Sequence, residues 1–180
     1  MDIYPQVLGA LNASLNSMTP MAERMEADAA LESLKGQEQC MVVMIHILSH
    51  ETPEHNEYIR QLALSILNDW MKTWWNNISE ENQMHIRTNI TGLLGNSTMV
   101  AQSKGLRTKL AVTVCNIAER QYPQKWPTFL EDIVGMWLQT QEAGQREICI
   151  MTLEFLVEDC IDGDFNNTLP VLRRNDILTG

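Results

Sequence analysis

The sequence is short of bases, of aromatic side chains and of long apolar runs, and each shortage narrows what the chain can be. Lysine and arginine number 13 against 23 aspartates and glutamates, a net charge of −10. Nonspecific affinity for nucleic acid comes from cations that displace counterions from phosphates, so this balance argues against a general nucleic-acid grip. Aromatics make up 6% of the residues while Leu, Ile and Met are plentiful, a mixture that favours helices over strands. No segment approaches the roughly eighteen apolar residues of a membrane span, and the opening MDIYPQVLGALNASL has no basic leader region. A soluble, non-secreted protein with no membrane insertion is expected.

Cysteine pairing is missing too. Cys40, Cys115, Cys149 and Cys160 show no C-x-x-C spacing, so they read as reduced core residues rather than a disulfide framework or a zinc ribbon. Sequons begin at Asn12, Asn77, Asn89, Asn96 and Asn166, but without secretory entry they are expected to stay unmodified. Neither a Gly-rich phosphate loop nor a nucleophile elbow is found, so the chain is expected to be no enzyme and to hold no cofactor. His46 and His50 stand at i, i+4 with Glu51, Glu54 and His55 close behind, a spacing able to ligate zinc. His46 sits inside the apolar run VVMIHIL, however, and a hydrogen-bonded packing histidine is the preferred reading.

What is present is helical punctuation around an apolar content of 44% in 180 residues, enough for a sizeable core. The pattern predicts helices over about 3–17, 20–35, 37–50, 54–75, 79–95, 103–121, 127–140 and 143–161. Thr19-Pro20 and Thr52-Pro53-Glu54 read as starts, and Ser79 as a cap, while Gly36 and Gly95 read as stops. Met41, Met44, Ile45 and Leu48 share one face of the third helix; Ile59, Leu62, Ile66 and Trp70 share one of the fourth. Trp70 and Trp74 are expected to pack between helices, leaving Trp75 the most exposed of the three tryptophans near Lys72. The helix over 143–161 is apolar around most of its girth, with Glu147, Glu154 and Glu158 as one narrow polar stripe, so it is expected to lie sandwiched between neighbours.

Eight helices in pairs of about forty residues match a HEAT or armadillo period. The predicted fold is therefore an all-α HEAT-repeat solenoid of about four antiparallel helix pairs. Val171 to Leu178 begins a further amphipathic helix after Leu169-Pro170, read as the start of a fifth pair truncated at the C-terminus. Charge is uneven: residues 1–60 carry −6, 61–130 carry +3 and 131–164 carry −8. The two acidic blocks are suited to steering a basic partner.

One turn is more specific than the rest. Tyr122-Pro123-Gln124-Lys125-Trp126-Pro127-Thr128-Phe129 resembles the W-P-x-x-W-P-x-F turn of the exportin-1 and exportin-5 branch of the importin-β superfamily, with Tyr122 in place of the first tryptophan. Leu64 to Trp75 resembles that branch's L-Q-I-L-E-x-x-x-K-x-x-W helix, with Asn68 where Glu is usual. Arg146-Glu147-Ile148 through Leu156-Val157-Glu158-Asp159 is similar to its R-E-L … L-x-E-D helix, and Leu172-Arg173-Arg174-Asn175-Asp176-Ile177 to an R-R-x-D-I segment. Two prolines flanking an indole explain the turn physically, as a pin between helix pairs. Tyr122, Pro123, Trp126, Pro127 and Phe129 are thus structural.

The resemblance implies one continuous solenoid, with importin-β N-terminal-like repeats over 1–97 and the start of an exportin-1-like region over 98–180. It implies a nuclear export receptor, shuttling between nucleus and cytoplasm, that binds Ran-GTP and carries a protein or a double-stranded RNA hairpin. Cargo contacts are expected largely outside these residues, nuclear pore proteins are implied as further partners, and GTP belongs to Ran. An import receptor of the same superfamily and a HEAT scaffold of another kind are the alternatives. The second helix of each pair is implied to line the inner face. Ser65, Asn68, Asp69 and Lys72, opposite the Leu62, Ile66 and Trp70 stripe, are candidate Ran-facing residues together with Glu147, Glu154 and Glu158.

Overall fold

The computed structural model describes residues 3–50, 52–101, 103–161 and 171–179. Among them the structure is all-α, without a strand, and it divides into two compact units, Met1–Asn89 and Ile90–Gly180. No helix among the described residues is long and apolar enough to cross a membrane. Asn166, Leu169 and Pro170 lie outside the described residues, as does the side chain of Cys160. Cys40, Cys115 and Cys149 are buried free thiols, and burial pushes that of Cys149 up to about 11.

The first unit contains α1 (Tyr4–Leu15), α2 (Met21–Lys35), α3 (Glu38–Ser49), α4 (Glu57–Trp74), a 3-10 turn (Trp75–Asn77) and most of α5 (Glu80–Gly92). Pro5 stands in the first turn of α1, where its missing N–H removes no helical bond. α1 packs on α2 and α3 on α4, each pair joined by a short turn, and α1 also reaches α3 and α4. Val7, Leu11, Met44, Ile47, Ile59, Leu64, Leu67 and Met71 are enclosed between them. Each such side chain contributes roughly 1.5–3 kcal/mol of hydrophobic burial.

Several boundaries differ from expectation for physical reasons. α4 begins at Glu57, not at 54, because Asn56 is the cap, its Oδ1 accepting the Ile59 N–H at 3.1 Å. His55 is pinned just ahead of it, its N–H donating to the Thr52 carbonyl and its ring almost fully buried. Trp75 is enclosed and Trp74 is the half-exposed one, the reverse of expectation, since the 3-10 turn changes the angular step between them. Gly36 ends α2 with φ −73°, in the right-handed region, so no left-handed cap is formed. A Cβ there would meet the Trp74 ring at 3.7 Å, an ordinary van der Waals contact, so neither backbone nor space demands glycine.

In the second unit a 3-10 turn (Leu93–Gly95) leads to α6 (Ser97–Ala101), α7 (Lys104–Gln121), α8 (Phe129–Gln139), α9 (Ala143–Ile161) and α10 (Val171–Thr179). α6 is a five-residue helix, capped by Asn96 through the N–H groups of Thr98 and Met99, that the sequence pattern had not suggested. Ser103 caps α7, accepting the Leu106 N–H at 3.3 Å. α8 starts at Phe129 rather than Pro127, after a turn held by the Lys125 and Trp126 N–H groups on the Gln121 carbonyl.

α7 and α9 form the most extensive packing in this unit. Arg107 meets Glu147, Thr108 meets Met151 and Cys115 meets Asp159. Partners advance together along both helices, so α7 and α9 run parallel, with α8 as the intervening return. That is the geometry of stacked helix pairs. α9 touches α6, α7, α8, α10 and the 3-10 turn, which is why apolar residues surround most of it.

Candidate partner-binding faces

The helix spacing that builds α4 also sorts its polar residues, and the sorting is uneven. Asp69 and Lys72 project into solvent, 60% and 64% exposed, with a loose 3.9 Å ion pair between them. Ser65 is half-buried and its Oγ donates to the Gln61 carbonyl at 3.0 Å, one turn back. Asn68 does not face solvent as expected. It is buried, because positions 64 and 71, one turn to either side, point into the core.

On α9 the expected polar stripe also divides. Glu147 is tied to Arg107 of α7 by a 2.6 Å ion pair, half-buried on both sides, and so acts between helices. Glu154 and Glu158 are exposed. A cavity of about 440 Å³ opens along this stretch, lined by Lys104, Arg146, Glu147, Ile150, Met151 and Glu154. Ile150 and Val157, about half exposed, lie on the outward side of the same helix.

A second group was not foreseen. Glu119 reads as an outward residue of α7, yet it is only 7% exposed, because Asp159 of α9 comes to meet it. Burial, reinforced by the hydrogen bond to Asp159 and that residue's charge, pushes Glu119 up to about 8, against the weaker pull of Arg120. At neutral pH Glu119 therefore keeps its proton and donates a hydrogen bond through it to Asp159. Cys115 lies 3.8 Å from Glu119 Oε1, and one ligand-capable atom from each of the three residues falls within 4.8 Å of the others. The acids already satisfy each other, so these groups build a helix contact rather than a cation cradle. The adjacent Glu158-Asp159 pair on α9 was the only trace of this in the sequence.

The histidines are likewise occupied. His46 and His50 stack with ring centroids 4.0 Å apart, and His50 Nδ1 faces the His46 carbonyl at 3.0 Å. His55 Nδ1 lies 2.7 Å from the His50 carbonyl, which fixes the N–H there and leaves Nε2 to accept from the Tyr4 hydroxyl at 2.6 Å. Burial first, and then the neighbouring His50 and His55, lower the pKa of His46. Glu51 lies outside the described residues.

The proline-tryptophan turn is a packed knot. Tyr122, Trp126 and Phe129 are buried, with the Trp126 and Phe129 rings edge to face at 4.9 Å. Trp126 Nε1 donates to Asp132 Oδ2 at 2.7 Å, and Thr128 Oγ1 donates to the same oxygen at 2.9 Å. The Tyr122-Pro123 bond is cis, Pro123 is half-buried and Pro127 exposed. Arg173 of α10 reaches back to it: Nε donates to the Glu119 carbonyl at 2.6 Å and Nη2 to the Tyr122 carbonyl. The R-R-x-D-I resemblance around Arg173 gives no sign of this contact.

Comparison with known proteins gives these faces a context. The model of the importin-β N-terminal domain matches residues 27–96, and that of exportin 1-like protein matches residues 103–179. Exportin-5 of Mus musculus and of Homo sapiens are each 25% identical over 174 residues, 96% of this chain and 14% of their own length. Exportin-1 of Schizosaccharomyces pombe is 26% identical over 117 residues, 63% of this chain and 11% of that protein. The chain thus spans about one-seventh of the exportin-5 relatives it matches. The two matches indicate HEAT-like helical repeats, in accord with the stacked pairs. With an importin-β N-terminal domain followed directly by an exportin 1-like segment, the chain belongs to the importin-β superfamily.

Proposed function

We propose that the chain is the part of a nuclear export receptor that binds Ran-GTP, in a protein that carries cargo from nucleus to cytoplasm and shuttles between them. The observation that carries this reading is the unbroken order of an importin-β N-terminal domain and an exportin 1-like segment, with exportin-5 relatives matched over 96% of the chain. Its chemistry is recognition, not catalysis, and the nucleotide belongs to the partner. Cargo, whether protein or double-stranded RNA hairpin, and nuclear pore proteins are engaged largely by parts of the receptor beyond these residues. Export then follows from linkage: Ran and cargo favour the same state of the receptor, so each raises the other's affinity by an equal factor.

Of the candidate residues, Asp69 and Lys72 in the first unit and Glu154 and Glu158 in the second are exposed, and the three acids among them suit a basic partner. Glu147 and Asn68 act inside the fold. Exposed charges set association rates and salt dependence, whereas desolvated pairs are worth more. Reversing Asp69, Glu154 and Glu158 to lysine in the full-length protein is expected to weaken Ran-GTP binding at least tenfold, about 1.4 kcal/mol, with helicity kept. Binding kinetics at two salt concentrations, with GTP-loaded and GDP-loaded Ran, test it. Unchanged affinity and association rate would remove these acids from the Ran face, and equal binding of both nucleotide forms would overturn the receptor reading itself.

A further inference from the structure

The turn between α1 and α2 carries features that partner binding does not use. The sequence holds two Thr-Pro dipeptides, Thr19-Pro20 and Thr52-Pro53. Thr19-Pro20 ends an open turn: Met18 is 86% and Met21 77% exposed, and Ser17 and Pro20 are exposed as well. Pro20, at φ −52° and ψ 145°, holds the chain extended as it enters α2.

Two groups at this turn want an anion. The first is the start of α2, a 15-residue helix with no side chain accepting from its first N–H groups. Those donors and the helix dipole favour negative charge. The second is Arg24, one turn into α2, whose Nη2 is shared among the carbonyls of Asn16, Ser17 and Thr19 at 3.3, 3.4 and 3.2 Å. All three are long for a guanidinium contact. Its Nε is buried and has no partner among the described residues. A cation is therefore held over the backbone of Thr19 by weak neutral acceptors, with one donor left over.

We propose that Thr19 is a phosphorylation site for a proline-directed protein kinase, its phosphate taken up by Arg24 and the open N-terminus of α2. The Thr19 hydroxyl oxygen attacks the γ-phosphorus of kinase-bound MgATP, the bond to the β-phosphate oxygen breaks, ADP leaves, and the hydroxyl proton passes to the kinase's base. Thr19 is half-buried between the exposed Met18 and Pro20, so access needs this turn to open locally. The product dianion supplies the acceptors that the helix start and Arg24 lack. Glu23, exposed in the same turn, opposes it through solvent, and Asp28 is engaged by Ser14 Oγ at 2.6 Å. Thr52 offers the contrast, since Glu51 and Glu54 flank it in sequence; a phosphate there meets repulsion.

The test treats the full-length protein, and a peptide of residues 14–24, with a proline-directed kinase and MgATP, locates the phosphate by mass spectrometry and titrates it by phosphorus NMR. Thr19 is expected to be modified in the folded protein. Its phosphate should titrate about half a pKa unit or more below that of the peptide, and Arg24→Gln should remove much of the difference while Arg24→Lys restores part of it. Circular dichroism confirms that both variants fold. Modification of the peptide but not of the protein would overturn the proposal, as would a phosphate on the protein that titrates like the peptide's. Any phosphate found on Thr52 serves as the internal control and should titrate no lower than in its own peptide.

Discussion

Trp126 and Trp70 are both enclosed indoles, and they differ in the fate of one N–H. That of Trp126 donates to the Asp132 carboxylate at 2.7 Å, whereas that of Trp70 is buried with no partner among the described residues. A hydrogen bond to a charged group contributes about 1.5–3 kcal/mol, and a buried orphan donor costs about 1–3 kcal/mol. Phenylalanine at either site loses ring volume, but at 126 it also loses a charge-assisted hydrogen bond to the exposed Asp132 carboxylate, and at 70 it removes an unmet donor. Trp126→Phe is expected to be the more destabilising by about 1.5 kcal/mol or more in urea unfolding, and Trp126→Ala to cost about 3–5 kcal/mol. Equal losses for the two phenylalanine variants would show that ring volume alone decides. The enclosure of Trp126 between two prolines was legible in the sequence; its bond to Asp132 was not, because a residue six positions on becomes a neighbour only once the turn has closed. Asn68 illustrates the same limit. Its polarity suggests solvent, while its place one turn from Leu64 and Met71 puts it inside.

Helices were read with their ends nearly in place wherever a cap and an apolar period agreed. Ser79 opens α5, its Oγ accepting the Asn82 N–H at 3.2 Å, and α9 runs from Ala143 to Ile161 as its pattern indicates. Where the start was read from Thr52-Pro53-Glu54 or from Pro127, the helix begins later, at Glu57 and Phe129. A helix's own periodicity says which side is apolar but not what its neighbour brings, and so Glu119 was placed outside. Its burial against Asp159 makes the α7–α9 contact pH-dependent. Because the folded pKa of about 8 lies above the ordinary 4.5, the folded state holds a proton that the unfolded chain releases. Stability from this pair is full below about 4.5 and is lost as pH rises through about 8. The urea midpoint is expected to fall from pH 6 to pH 9, and Glu119→Gln to flatten that slope. A variant with the same slope as the parent would assign the pH dependence to other groups.

Across the whole molecule the charge of −10 bears on cargo as well as on partners. If RNA is carried, the net charge is better suited to counterion-releasing cations that lie largely outside these residues. In a gel-shift titration at physiological salt, the chain by itself is expected to give no retention of an RNA hairpin at concentrations up to about 100 μM. Retention below that, with a steep salt dependence, would place an RNA contact here. The repeat character was legible from helix lengths and turns, since stacked pairs leave a period that a single sequence can show. The parallel pairing of α7 with α9 needed the structure, because 107 with 147, 108 with 151 and 115 with 159 are related by packing alone. That pairing also decides where the chain tolerates changes of length. Residues added between α8 and α9 lengthen a surface path and leave every pair in register. One residue added inside α7, between Thr108 and Cys115, turns all that follows by about 100°. Cys115 and Glu119 would then swing away from Asp159, and the Glu119 carbonyl would leave the reach of Arg173.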